Sequence, residues 1–256
     1  MKSNHLLTEK SGPILSIMLN RPDRLNAFSP EMIQGLTETL REAQKNPDIR
    51  VVVLSGAGRS FCAGGDINLM KDAVPTAVYD HLGDFNTCIL AMRDLEKPII
   101  ASVHGFAAGA GFNLLLASDL IFAAEDAQFI LSFSQLGLVS DGGGSYFLPR
   151  VVGPYLAKEL FFNAEPLTAQ RAMELGIVNK LFPSAQLREE TLAFAIKLAK
   201  ATTKALGLIK KLVDRSFSAS LEQILEHERA IQSTLVTSDD HQKAVKAFIE
   251  KRTKHQ

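Results

Sequence analysis

The feature that most limits what this chain can fold into is a recurring junction, in which a short, largely apolar segment runs into glycine or other small residues. Val51 to Leu54 enters Gly56-Ala57-Gly58, and Pro98 to Val103 ends at His104-Gly105. Leu120 to Ala124 is a further run of the same kind. A strand that is apolar at every position is buried on both faces, as in parallel sheets. Ile14 to Asn20 is an earlier apolar run, stopped by Arg21-Pro22-Asp23. Ser29-Pro30-Glu31 then has the pattern of a cap followed by proline in the first helical turn. A helix over about Glu31 to Lys45, with Met32, Leu36 and Leu40 along one face, separates the first two strands. Strand, helix, strand predicts a right-handed crossover in a parallel sheet.

The segment from Ile67 to Leu95 reads as helical but irregular, and Phe112 to Ser118 as an apolar helix opening from Gly109-Ala110-Gly111. Phe129 to Leu131 is a candidate short strand. Beyond Arg150 the pattern is helical: Pro154 to Phe162, Thr168 to Leu175, Ala185 to Thr202, Lys204 to Phe217, Leu221 to Leu235 and Asp239 to Arg252. One short strand, Ile177 to Leu181, interrupts it. The fold class expected is α/β, a strand–helix core followed by a helical extension. With 256 residues, 46% of them hydrophobic, the chain can build one substantial core, or one core and a small appended unit.

Charge and composition exclude several partners. The 28 basic and 28 acidic residues leave no excess to attract nucleic acid or an anionic membrane. No segment approaches the ~20 apolar residues of a membrane span, and MKSNHLLTEK has no signal-like core. Two cysteines, Cys62 and Cys88, are too few for a disulfide framework, so a reducing, cytoplasmic setting is expected. The third glycine of a dinucleotide fingerprint is replaced by Phe61, and no phosphate loop or G-x-S-x-G elbow is present. The six histidines lack metal-ligand spacing, so no metal is expected. Cys62 has no paired histidine and reads as a small loop hydrophobe.

Chemistry concentrates in Ser132 to Arg150, SFSQLGLVSDGGGSYFLPR, whose one carboxylate is Asp141. No basic residue lies nearer in sequence than Arg150, and an apolar setting raises a carboxyl pKa, which makes Asp141 a candidate general base. It is equally a candidate cap for a helix over Gly143 to Val151. Two small-residue turns, Cys62-Ala63-Gly64-Gly65-Asp66 and Gly109-Ala110-Gly111, could bring backbone amides close to a ligand oxygen. Two amides aimed at one oxygen make an oxyanion hole.

These turns sit within a longer series. Asn20-Arg21-Pro22-Asp23-Arg24-Leu25-Asn26-Ala27, Ser60 to Asp66, Lys97 to Ala101 leading into His104 to Gly111, Ala169-x-x-Ala172-x-x-x-Gly176-Ile177-Val178-Asn179 and Ala247 to Arg252 together resemble the crotonase superfamily, the enoyl-CoA hydratase/isomerase family. The likeness runs in order from about residue 14 to 252. It implies a spiral of β-β-α turns over residues 1–195, and a C-terminal helical region over 196–256 that assembles homotrimers or dimers of trimers. It also implies an acyl-CoA thioester substrate, with coenzyme A as part of the substrate and no separate cofactor. By this resemblance the amides of Ala63 and Ala110 form the oxyanion hole. Arg24, Asn26, Ala27, Ala63, Gly64, Gly65 and Asp66 contact the CoA portion, and Phe248 and Lys251 reach a neighbouring subunit's CoA. The proline common after that tail motif is replaced by Lys254.

Hydratases of the family carry two glutamates, at positions that align with Asn113 and Phe133 here. Neither side chain can take up a proton at neutral pH, which argues against hydration. The wording around Asp141 resembles the isomerases of phenylacetate ring catabolism and related enoyl-CoA isomerases, with Ser140 where relatives often have proline. The function expected is therefore a 3-enoyl-CoA to 2-enoyl-CoA isomerase using Asp141 as its single base, with Phe133 keeping the substrate wall apolar. The alternatives are a ring-epoxide or oxepin-CoA isomerase, an enoyl-CoA hydratase, and a non-catalytic acyl-CoA-binding homologue.

Overall fold

The structure, a computed structural model, describes residues 4–66 and 74–253, apart from the side chains of Lys251 and Thr253. Leu6–Ser11 (β1) runs antiparallel to Ile14–Leu19 (β2), and β2 pairs in parallel with Val51–Gly56 (β3) across the helix Pro30–Lys45 (α1). Ser29 caps α1 by accepting the Met32 amide at 3.2 Å, and Pro30 occupies the first turn, as the sequence predicts. Met32, Ile33, Leu36, Leu40 and Ala43 bury one side of α1. The Lys97 ammonium closes its other end by donating to the carbonyls of Ala43 and Asn46.

Pro75–Asp94 (α2) leads to Ile99–Val103 (β4), Phe106–Ala108 (β5), Ala110–Leu116 (α3) and Leu120–Ala124 (β6). Gln128–Ile130 (β7), Gly144–Val152 (α4), Pro154–Asn163 (α5), Leu167–Thr168 (β8), Ala169–Glu174 (α6) and Lys180–Phe182 (β9) complete the mixed part. Leu187–Ala199 (α7), Thr203–Arg215 (α8), Leu221–Leu235 (α9) and Asp239–Thr253 (α10) follow. The main sheet has the order β1-β2-β3-β4-β6-β9, parallel from β2 onward, and a second sheet has the order β5-β7-β8. This is the α/β class expected, and every position of β4 is buried. Among the described residues no helix is long and apolar enough to cross a membrane.

Three strands are absent from the sequence reading, and β9 is Lys180–Phe182 where Ile177 to Leu181 is expected. β1 buries only Leu6, so it carries no apolar run, while β5 and β8 are three and two residues long. The first part of the irregular helix expected from Ile67, residues 67–73, lies outside the described residues. The boundary expected at residue 195 falls within α7, whose Ala195 and Ala199 are buried. α8 is anchored by ion pairs: Arg93 with Asp119 and Asp214, and Lys210 with Asp119 at 3.0 Å.

Candidate active site

Two segments distant in sequence are stitched side by side. The Asn26 side chain is fully buried, and its Nδ2 donates to the carbonyls of Ala57, Ser60 and Phe61 at 2.8, 2.8 and 3.1 Å. The Phe28 amide donates to Gly64 O at 2.8 Å. On the other side, Cys62 N donates to Phe106 O and Ala108 N donates to Cys62 O, so residues 60–66 lie between the segment at 25–28 and β5. This clamp brings the turn at 62–66 against the turn that opens α3. A β-carbon at Gly64 would stand 2.5 Å from Ala108 O and 3.0 Å from Ala110 N, and Gly64 has φ +90°. Only glycine fits that approach.

The clamp also decides which amides are available. Ala63 N donates to Leu25 O at 2.9 Å and is therefore engaged within the fold, against the expectation that it lines the oxyanion hole. Gly64 N faces the Cys62 thiol at 3.4 Å. Among the described residues no hydrogen bond reaches the amide of Gly65, or that of Ala110 at the first turn of α3. Gly65 N and Ala110 N are thus two amides, one in each turn, that no hydrogen bond engages among the described residues. The sequence offers three candidate amides in this turn, and the partner that removes Ala63 is 38 residues away.

The residues expected around CoA divide into two groups. Arg24 is exposed at the end of a short 3₁₀ turn, Pro22–Arg24, beside the loop at 62–66. Asn26 and Ala27 are buried, and Ala27 O accepts Arg21 Nη1 at 2.7 Å, so these two hold the loop instead of presenting side chains. The Asp66 carboxylate is buried and paired with Arg21 Nη2 at 3.1 Å, a structural role the sequence reading did not assign. Phe248 lies exposed on α10, and the Lys251 side chain is outside the described residues.

Asp141 lies between α3 and α2. Asn113, on α3 one turn after Ala110, donates Nδ2 to Asp141 O at 2.9 Å, and Asp141 Oδ1 is 3.4 Å from the same nitrogen. Burial pushes the Asp141 carboxyl above the usual carboxylate range; the Asn113 bond and the nearby His81 hold it back in part. His81 lies four residues before Phe85 on α2, and the Phe85 ring packs against Gly142. The cap reading of Asp141 is overturned, because Gly143 occupies the N-cap of α4 and no side chain caps that helix. The sequence reading also missed His81, which approaches Asp141 only through the tertiary fold. Phe133 is buried, its ring tip 3.8 Å from where a β-carbon on Gly109 would be, so it walls the Ala110 turn. Cys62 is fully buried with its thiol pushed up to about 12, which removes it as a nucleophile.

The arrangement combines two unengaged amides, one partly desolvated carboxyl and an apolar wall. It can stabilise negative charge on an oxygen and move a proton at a neighbouring carbon.

Comparison with known proteins agrees in kind. A family model described as enoyl-CoA hydratase/isomerase matches residues 9–256. The chain is 36% identical over 253 residues to the 1,2-epoxyphenylacetyl-CoA isomerase of Escherichia coli, covering 97% of this chain and 96% of the relative. It is 34% identical over 253 residues to the 2,3-dehydroadipyl-CoA hydratase of the same organism, covering 98% and 97%. A crystal structure of an enoyl-CoA hydratase from Polaromonas sp. JS666 superposes with a TM-score of 0.92 at 36% identity, over 96% of this chain and 97% of that one.

Proposed function

This chain belongs to the enoyl-CoA hydratase/isomerase family of the crotonase superfamily, and from that premise we propose that it isomerises an acyl-CoA. The substrate is a 3-enoyl-CoA thioester. Asp141, as carboxylate, removes a proton from the α-carbon, and the electron pair moves onto the thioester oxygen as an extended enolate. The amides of Gly65 and Ala110 receive that oxygen. Asp141 then returns the proton to the γ-carbon, leaving the double bond conjugated with the carbonyl. One acid suffices because one proton is moved, and no water is consumed.

The observation that carries this reading is the contact between Asp141 and Asn113, which puts the carboxyl beside the helix whose first amide is Ala110. Such a carboxyl is poorly solvated and therefore basic once ionised. Hydration is disfavoured because Asn113 and Phe133 supply no second acid. The non-catalytic alternative calls for Asp141 to face away from the amide pair, and the Asn113 contact supports the opposite.

A second reading is favoured by the 36% identical 1,2-epoxyphenylacetyl-CoA isomerase. It keeps the same oxyanion site and base and replaces the acyl chain with an aromatic-derived ring. Assays with 3-enoyl, 2-enoyl and 1,2-epoxyphenylacetyl thioesters, on wild type and Asp141→Asn, separate the two. Isomerisation of the first substrate with at least ~10²-fold loss in the variant supports the first reading. Turnover confined to the epoxide supports the second. Hydration of a 2-enoyl thioester with Asp141→Asn fully active would exclude both. We further propose that the working form is a homotrimer or dimer of trimers.

A further inference from the structure

Asn113 carries no ionisable group, yet its surroundings are unusually specific. It is 0% exposed on a seven-residue helix that is buried at every position. Its Nδ2 faces three acceptors: Ser140 Oγ at 3.0 Å, Asp141 O at 2.9 Å and Asp141 Oδ1 at 3.4 Å. Its Oδ1 is buried without a hydrogen-bond partner. An unsatisfied buried carbonyl costs stability, and the bonds made by the amide nitrogen offset that cost. The orientation of the amide follows from the network. A flip would turn Oδ1 toward three oxygens and leave Nδ2 with no acceptor. Gly144 completes the fit, because a β-carbon there would collide with both Asn113 Oδ1 and Ser140 Oγ.

We propose that Asn113 is a positioning residue for the base, its buried carboxamide tying the Asp141 carboxyl and backbone to the helix that begins with the Ala110 amide. The inference rests on the isomerase reading above. It assigns a specific consequence to the neutral side chain at this position. A neutral donor can hold an ionised Asp141, whereas a second carboxylate would repel it. A rigid link from Ala110 to Asp141 also fixes the distance between the enolate oxygen and the base, which a single base serving two carbons requires.

Among the described residues, the ionisable group that acts on Asp141 is His81 on α2, while Asn113 and Ser140 are neutral. Two substitutions test the link: Asn113→Asp, which keeps the shape and adds a charge, and Asn113→Ala, which removes the donor. Each is measured as the full-length enzyme with a 3-enoyl thioester across the pH range. The Asp141 carboxyl is followed in parallel by 13C NMR titration, with its signal assigned by its absence in Asp141→Asn. Both variants are expected to lose kcat by about 10²-fold with KM changed less than about threefold, as expected of a misplaced base. Both should also titrate Asp141 at higher pH than wild type, Asn113→Asp the more so. A merely structural role would lower the folded fraction and leave the titration of the folded protein in place. An unmoved titration together with wild-type kcat in folded Asn113→Asp or Asn113→Ala overturns the inference. Full activity in Asp141→Asn overturns the isomerase reading instead, and the carboxyl titration then decides for or against Asn113 by itself.

Discussion

Asp141 is placed where ionisation is costly, and the cost has a definite sign. Burial raises its folded pKa above that of the unfolded chain. The stability this group contributes is therefore fully present below the unfolded pKa, and is lost as pH rises through the folded value. Ionised Asp141 therefore stabilises the fold less than protonated Asp141 does. Asp141→Asn is expected to melt no lower than wild type at neutral pH while losing at least ~10²-fold in isomerisation, a separation that calorimetry and kinetics together can read. The same shift places the acid limb of the kcat/KM profile above the ordinary carboxylate range, since the base must be deprotonated to act. A limb at the ordinary position would mean that another group limits turnover. The sequence made Asp141 legible because it is the lone carboxylate among glycines and apolar residues. Asn113 stood out only as the residue at a hydratase glutamate position and His81 not at all, because they lie 28 and 60 residues from Asp141 and meet it only through the packing of α3 and α2.

At the next level the informative unit is the turn at 60–66, held between the Asn26 loop and β5. Its small residues were visible in the sequence as a place where backbone can approach a ligand. Which amide remains open was not, because Leu25 O claims Ala63 N from outside the turn. β5 was missed for a related reason: three residues show no periodicity, and the strand exists because Cys62 and Ile130 bond to its two sides. Gly64→Ala is the test of this unit. Its β-carbon would meet Ala108 O at 2.5 Å, and its φ of +90° is strained for any L side chain. The backbone of one turn must shift, so kcat/KM is expected to fall by ~10²- to 10³-fold, the worth of a lost oxyanion donor. Stability should fall by about 1–3 kcal/mol from the backbone strain. Ordinary stability with full activity would mean that the two turns need not touch.

Beyond the sheet, the last two helices were predicted to within one residue and the two before them to within three, because their apolar spacing and caps are local: Ser220 and Gln223 form a capping box at the start of α9. What they pack against is less local. α8 is fastened to α2 and the start of β6 by a cluster of Arg93, Asp119, Lys210 and Asp214, in which Asp119 also accepts the Ile99 amide at 2.8 Å. Asp119→Ala leaves Lys210 buried and short of its partner, so about 3–5 kcal/mol of stability should be lost, measurable by denaturant unfolding. α9 has no buried residue in the single chain. Leu221 and Leu225 are exposed one turn apart on it, and Val245, Phe248 and Ile249 are exposed at helical spacing on α10. Apolar side chains in that number and spacing are costly in water and are relieved by association. With the trimeric assembly proposed above, light scattering after gel filtration is expected to report three or six chains at micromolar concentration. Leu225→Asp with Phe248→Asp should shift the mass toward one chain while the far-ultraviolet dichroism stays helical. If that double variant retains the wild-type mass, α9 and α10 do not make the contact, and the surface joining the copies lies on the core.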